Sequence, residues 1–332
     1  MNMKKINKYI ISIFWLSQQL VFAQTTNQVR ERIEGTDRPI VPAQATGESR
    51  SSSKSGNATD GAISDTGAQR PVQLKDKGVS SFMGYNTKYF FRSNPLSSSG
   101  PLKQSATGMW TNTFFAGAGL GVFDADEAII TPYIGISYTI NDYIKSDLSS
   151  FNYNSTGAYA LLLAQFGNGW SVRGGVSYSM DRSTRLDTED YMEIYPNVGV
   201  LKSYAVNEST TAIFDASIGS HQANTDTLPI AESHEEELSS IEYSASYSLN
   251  YELMNFIIIP KYKISYKDYD QGVNKNRDDL IHDLNFKVEY PLSDSLKIST
   301  FYDYSTRKTN GLEDHDFKSY DYGIIIGLNA RF

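Results

Sequence analysis

The chain has 332 residues, of which 23 are tyrosine and 16 phenylalanine, with only 3 tryptophans. It has no cysteine, which excludes disulfides, thiolate nucleophiles and cysteine-based metal sites. Its formal net charge of −8 argues against nucleic-acid binding.

The first 23 residues have the pattern of a secretory signal peptide. A lysine-containing start is followed by an apolar stretch over 9–22 and by Ala23, which suits a cleavage site. This stretch is shorter than the roughly 20 residues that a membrane-spanning helix needs. We therefore predict that residues 1–23 are removed on secretion.

Residues 24–78 differ in composition from the rest of the chain. They contain no Phe, Trp or Tyr and are rich in Ser, Thr, Gly, Gln and Asn. Such a segment cannot bury enough apolar area to offset the entropy lost on ordering. We predict a disordered periplasmic segment, leaving 79–332 as the folded domain.

From residue 79 onward, apolar and polar residues alternate with the period of a β-strand. We predict twelve strands, at 80–92, 109–123, 128–141, 155–166, 170–181, 191–206, 210–221, 239–251, 255–268, 280–290, 296–307 and 319–332.

The connections between these segments alternate in length. Long ones fall at 93–106, 142–154, 182–190, 222–238, 269–279 and 308–318, and short turns separate the other pairs. Bacterial transmembrane barrels have an even strand number, with short periplasmic turns and longer external loops. The pattern predicts an all-β fold, a transmembrane antiparallel up-and-down barrel of about twelve strands.

The last predicted strand separates its residues into two faces and ends the chain on Phe332. Its closing run, GIIIGLNARF, resembles the final strands of the Gram-negative outer-membrane β-barrel superfamily, including its porin-like members. That resemblance implies a location in the bacterial outer membrane. It also implies that Phe332 is the signal read by the barrel assembly machinery.

The opposite faces of the predicted strands carry charged residues, which we expect to line the lumen. They allow two interpretations, an ion-pair network that stiffens the barrel or a hydrated pathway with local selectivity. The clearest basic stripe is Lys261, Lys263 and Lys267, with Lys287 on the next strand. The full set of possible selectivity residues is Lys88, Arg92, Arg173, Lys261, Lys263, Lys267, Lys287, Lys297, Arg307, Glu242, Asp283, Glu289, Asp303 and Asp321.

The predicted external side carries the residues that suit other chemistry. All four histidines fall there, at positions 221, 234, 282 and 315. Asp314–Asp316 and the pair Asp278–Asp279 could form a hydrolytic Asp–His arrangement at the rim. The acidic run at 235–237 could be ordered by calcium or magnesium. Chance occurrence in solvated loops is the simpler interpretation of both.

These observations predict a passive channel for small hydrophilic solutes. Two alternatives stay open, a structural or surface-interaction barrel with a blocked lumen, and a rim hydrolase. We expect no cofactor, no metal and no assigned catalytic residue. The expected partners are outer-membrane lipid, the barrel assembly machinery and small solutes.

Overall fold

The computed structural model describes residues 79–95, 106–125, 127–167, 169–185, 189–224, 239–271, 274–310 and 316–332. The predicted signal peptide and the predicted disordered segment lie outside these ranges. In the described part of the chain, no helix is long and apolar enough to cross a membrane.

Alternating side chains make each segment a strand with one exposed and one enclosed face. In the last strand, Tyr322 and Ile324 are half exposed, whereas Asp321 between Tyr320 and Tyr322 is 2% exposed. The strands are β1 Ser80–Arg92, β2 Thr107–Gly119, β3 Phe123–Ala125, β4 Ala128–Tyr143, β5 Tyr153–Phe166, β6 Trp170–Ser183, β7 Glu189–Asn207, β8 Thr210–Asn224, β9 Ser240–Leu253, β10 Phe256–Tyr269, β11 Arg277–Pro291, β12 Leu296–Asn310 and β13 Phe317–Arg331.

These strands form one closed antiparallel barrel. Consecutive strands pair along the chain, and β1 closes the barrel by pairing with β13 from Phe82↔Arg331 to Arg92↔Asp321. The short strand β3 continues β2, because both pair with β4. The wall therefore has twelve strands, which confirms the predicted fold class.

The predicted strand 109–123 is interrupted, and Gly121 is the physical reason. Its φ of 109° lies in a region that side-chain-bearing residues rarely adopt. Leu120 still donates its N–H to the carbonyl of Pro132 at 2.8 Å. The strand therefore bends between β2 and β3 while its pairing with β4 continues.

Most strands extend beyond their predicted bounds on the long-loop side. β11 begins at Arg277 and not at 280, and β12 runs to Asn310 and not to 307. The placement of Asp278 and Asp279 in an external loop was therefore wrong. Both belong to β11, and Asp279 is fully buried inside the barrel, where Arg277 and Arg307 pair with its carboxylate.

The core of the protein lies inside the lumen. Near the short-turn side, Tyr133, Leu161 and Leu163 are buried together. This explains why the stretch around 158–166 is apolar on both faces, since its inward leucines pack in the lumen while Leu162 faces outward at 50% exposure. A second group of buried apolar side chains fills part of the lumen near the long loops.

Candidate functional site: the lumen constriction

Side chains from all twelve wall strands are buried at one level in the long-loop half of the lumen. Each of these residues is paired in the strand register with the chosen residue of the next strand, or lies two residues from that pairing. None is more than 9% exposed, so water barely reaches these described side chains. We call this ring the constriction; its members are Arg92, Met109, Tyr143, Tyr153, Asp181, Glu193, His221, Glu242, Lys267, Asp279, Arg307 and Ser319.

One side of the constriction is apolar. A 3-10 helix at Ser146–Phe151, between β4 and β5, places Leu148 and Phe151 against aromatic side chains of the wall. Phe90 and Phe301 meet edge to face with ring centroids 6.0 Å apart. Gly323 lies in register between them, and its lack of a side chain leaves room for this contact. The cluster comprises Phe90, Met109, Tyr143, Leu148, Tyr153 and Phe301, with Phe151 and Ile325 at its edge.

The other side is ionic and is centred on His221 of β8. The His221 Nδ1 lies 3.0 Å from Glu193 Oε2, and Nε2 lies 2.9 Å from Glu242 Oε2. The ring stacks on Tyr195 at a centroid distance of 4.2 Å. Because the ring is held by both carboxylates, it joins β7, β8 and β9 across their inward faces.

Two lysines of the predicted basic stripe complete this cluster. The ammonium groups of Lys263 and Lys267 lie 3.0 Å and 3.4 Å from the two oxygens of Glu242. Lys263 is 8% exposed and Lys267 is 9% exposed. Both charges of this part of the stripe are therefore paired with Glu242 and are not displayed to solvent.

A second ionic cluster surrounds Asp279 on β11. Arg277 donates to both Asp279 oxygens, from Nε at 2.9 Å and from an Nη at 2.6 Å. Arg307 approaches the same carboxylate at 3.7 Å, and Thr309 and Tyr269 donate hydroxyl hydrogen bonds to it. A bidentate guanidinium pair that is also hydrogen-bonded by neighbours is the arrangement that makes a buried charge tolerable.

The seam between β1 and β13 has its own buried ion pair. Arg92 donates from Nε to Asp321 Oδ2 at 3.0 Å, and an Nη of the same guanidinium lies 2.9 Å from that oxygen. The Arg92 guanidinium lies 4.9 Å from the centroid of Phe90. Lys88, further along β1, sits over the rings of Phe90 and Phe301 at 4.4 Å and 4.2 Å. These two cations border the apolar side of the constriction.

The remaining predicted lumen residues lie nearer the short turns, and most of them are less enclosed, although Lys287 is only 8% exposed. Arg173 forms a bidentate pair with Asp215. Lys287 and Lys297 both bind Glu289, at 2.6 Å and 3.2 Å. Asp303 accepts a hydrogen bond from Asn285, and Lys261 is half buried. All fourteen predicted positions thus lie on inward faces, and their role in selectivity stays a prediction.

Three buried side-chain oxygen atoms on β10, β11 and β12 make no hydrogen bond with a described residue. They are Asp283 Oδ1 and the hydroxyls of Ser265 and Ser305, on the neighbouring strands β11, β10 and β12. Asp283 lies directly opposite Ser305 in the strand register. An unsatisfied buried polar group costs roughly 1–3 kcal/mol. These three oxygen atoms therefore destabilise the constriction as it is packed in this structure.

The candidate rim residues are only partly described. Residues 225–238 and 311–315, which include His234, the acidic run 235–237 and His315, lie outside the described ranges, as does Asp187. Asp316 precedes β13 and is bound by Lys308 and by the N–H of Thr309. Partial burial opposes ionisation, but these two hydrogen bonds lower the pKa of the Asp316 carboxyl from its usual value. His282 faces outward, with Nδ1 2.7 Å from the Tyr262 hydroxyl.

The importance of His221 was missed at the level of sequence. A signal was nevertheless present, since Glu193, His221 and Glu242 all occupy inward positions near the long-loop ends of three successive strands. The apolar cluster was missed as well, because Leu148 and Phe151 lie in a connection predicted as an external loop.

No family model matches the chain, and a search of curated proteins found no significant match. Solved structures do match. An outer-membrane channel from Pseudomonas putida F1 has 8% identity and a TM-score of 0.47, covering 78% of this chain and 99% of that one. The translocator domain of autotransporter NalP from Neisseria meningitidis has 9% identity and a TM-score of 0.42, covering 77% and 90%. The outer-membrane channel DcaP of Acinetobacter baumannii has 10% identity and a TM-score of 0.41, covering 76% and 98%.

Proposed function

We propose that this protein is an outer-membrane channel for small hydrophilic solutes whose lumen narrows at the constriction. The proposal concerns both the location of the barrel and what its interior does. The location is supported by the outward faces, and the transport function by the chemistry of the residues that close the lumen.

The outward faces are apolar and exposed around the whole barrel. The described strands expose large side chains such as Trp110, Ile136, Val198, Tyr262 and Ile324, each between 40% and 65% accessible. An apolar surface of this extent is not stable against water, but it suits lipid. A closed barrel can cross a membrane because all its backbone groups are paired within the sheet.

The observation that carries the channel proposal is that ionisable side chains supply much of the constriction. A lumen that only needs filling is filled at lower cost by apolar residues, because burying charged pairs carries a large desolvation penalty. Buried pairs such as Lys267–Glu242 and Arg307–Asp279 gain hydration if the lumen opens. We infer that the ionic side is the part of the constriction through which water and solutes pass.

A second candidate is supported by a different observation. Every wall strand contributes a buried side chain to the constriction, and the apolar cluster on one side resembles a permanent core. On this alternative the lumen is blocked, and the barrel serves as a structural or surface-interaction protein.

Conductance in planar lipid bilayers distinguishes the two. We expect purified wild-type protein to give small, discrete current steps. Phe301→Ala, which removes an inward ring that is 6% exposed, should increase the step size or open fraction about two-fold or more. Phe286→Ala is the matched control, because that ring faces lipid at 45% exposure and should leave the current unchanged. Absence of steps from both wild type and Phe301→Ala would favour the blocked barrel.

A further inference from the structure

We propose that His221, held between Glu193 and Glu242, is a proton-binding site that latches the constriction closed when it is protonated. This inference deepens the proposed channel function and rests on it. It adds a regulating ligand, the proton, and assigns it to one described side chain.

The distances around the ring favour an extra proton. Both His221 nitrogens lie at hydrogen-bonding distance from a carboxylate oxygen, 3.0 Å for Nδ1 and 2.9 Å for Nε2. A neutral imidazole has only one N–H, so its second nitrogen would point a lone pair at a carboxylate. Two good hydrogen bonds therefore need either an imidazolium or one protonated glutamic acid. In both cases the cluster holds one proton more than a neutral histidine between two carboxylates.

Other ionisable groups face His221 from each strand packed against it. From β7 come Glu193, the Tyr191 hydroxyl that donates to Glu193, and the stacked ring of Tyr195. From β9 comes Glu242, and from β10 come Lys263 and Lys267, both bound to Glu242. The two lysines keep Glu242 ionised and therefore able to accept from the imidazolium.

A release of that proton removes one of the two bonds that join the strands through His221. The ring would then contact one carboxylate favourably and repel the other at about 3 Å. Water entering the lumen would separate the repelling groups. The proton thus acts as a ligand that binds the closed arrangement more tightly than the open one.

The three unsatisfied buried oxygen atoms independently favour opening of the constriction. Asp283 Oδ1 and the hydroxyls of Ser265 and Ser305 lack hydrogen bonds to described residues, and the Asp283 strand position faces Lys263 of the histidine cluster. Water would supply their missing hydrogen bonds. The closed constriction is therefore stabilised by the proton and destabilised by these three groups, which is the balance that a two-state gate requires.

The direction of the pH dependence follows from this balance. The latch is present when the cluster holds its proton, so closure is favoured at low pH and is lost as the pH rises. Since one proton is released, the ratio of closed to open channels falls by at most about tenfold per pH unit.

The test compares single-channel currents at pH 5 and pH 8 for wild type, His221→Gln and His282→Gln. The substitution His221→Gln keeps a polar side chain at the site but removes the imidazole that would carry the proton. The His282 ring faces lipid beside Tyr262, so His282→Gln controls for the loss of a histidine. We expect the open fraction of wild type and of His282→Gln to rise at least about five-fold between the two pH values. We expect that of His221→Gln to change less than about two-fold.

Each outcome of this comparison decides a different claim. A conducting wild type without pH dependence, or a His221→Gln channel that keeps it, overturns the latch and leaves the channel proposal intact. A barrel that never conducts overturns both.

A second measurement reads the proton directly and does not depend on current. Ring ¹⁵N spectra of the refolded barrel at pH 5, with the His221 signals identified by their loss in His221→Gln, should show both nitrogens bearing hydrogen or sharing one with a carboxyl group. At pH 8 one nitrogen should have the shift of an unprotonated imidazole. Identical His221 signals at both pH values would contradict the proposal even if the conductance varied.

Discussion

At the residue scale, inward glycines make room for the rings that pack along the lumen wall. The ring of Tyr159 lies over Gly135, and the ring of Tyr195 lies over Gly219 on the neighbouring strand. A methyl group at either glycine would overlap the ring. Gly174, in contrast, has no atom within 4 Å of the position that a Cβ would take. The same residue type therefore has different structural roles on the two faces of the wall.

This difference predicts the effect of adding a methyl group. Gly135→Ala should lower the free energy of unfolding by roughly 1–3 kcal/mol, because Tyr159 must leave its position. Gly174→Ala should leave the free energy of unfolding within about 0.5 kcal/mol of the wild-type value, as most surface substitutions do. Urea titration of the barrel in lipid vesicles, followed by the change in gel mobility on heating, measures both. Equal stability of the two variants would show that the ring moves aside without cost.

At the scale of strands, the contact between β1 and β13 turns a sheet into a barrel. Backbone pairing along this seam ends near the chain terminus, where Ser81 and Phe332 exchange two hydrogen bonds of 3.1 Å and 2.9 Å. The Phe332 ring is 72% exposed, so the fold uses its backbone more than its side chain. This leaves the ring accessible, as its predicted role in assembly requires, and that role stays a prediction. The opposite end of the seam is closed by Arg92 and Asp321.

The buried Arg92–Asp321 pair predicts a non-additive response to substitution. Asp321→Leu alone should cost about 3–5 kcal/mol, because it leaves the Arg92 charge buried without its carboxylate. Arg92→Leu should cost a similar amount. The double variant Arg92→Leu with Asp321→Leu should be more stable than either single variant, since no unpaired charge remains. The free energies of unfolding of the four proteins form a double-mutant cycle, and strict additivity would mean that the pair contributes no coupling.

At the scale of the whole molecule, the protein is organised with its polar groups inside and its apolar groups outside. The lumen contains the buried ions, and the large exposed apolar side chains lie on the outside of the wall, where the proposed membrane location would place lipid. The free-energy cost of a charge on the outward face should therefore depend on how far along the strand it lies. Ile136 lies at the middle of β4 and is 63% exposed, whereas Ile144 follows the end of that strand and is 52% exposed.

Lysine at these two positions tests the proposed membrane location. In lipid vesicles, Ile136→Lys should lower the free energy of unfolding by roughly 2–4 kcal/mol, as expected for a charge at the bilayer midplane. Ile144→Lys should lower it by no more than about 1 kcal/mol, because a rim lysine reaches water. Urea unfolding of both variants in the same vesicles gives the comparison. If Ile136→Lys were as stable as Ile144→Lys, this face of β4 would not be in contact with lipid.

Many features of the wall could be predicted from the sequence because they depend on local alternation. The period-2 pattern placed twelve strands and their inward charges, and turn residues placed the short connections. Errors arose where a residue's partner is distant in the chain. In the sequence, Asp279 is indistinguishable from a loop carboxylate, because its partner Arg307 lies on another strand. The bend at Gly121 depends on a positive φ, and a glycine in the sequence does not reveal whether its φ is positive.

The sequence by itself determined the barrel, the face on which each residue lies and the alternation of long and short connections, because these follow from backbone geometry and from the period of the side chains. Only the tertiary structure decided which inward side chains meet. Closure of the barrel brings Leu148 and Phe301 into one apolar cluster and places His221 between two glutamates. These contacts depend on the register, curvature and diameter of the closed wall, and none of the three is a property of a single strand. The physical state of the lumen therefore emerges only when all twelve strands are in place.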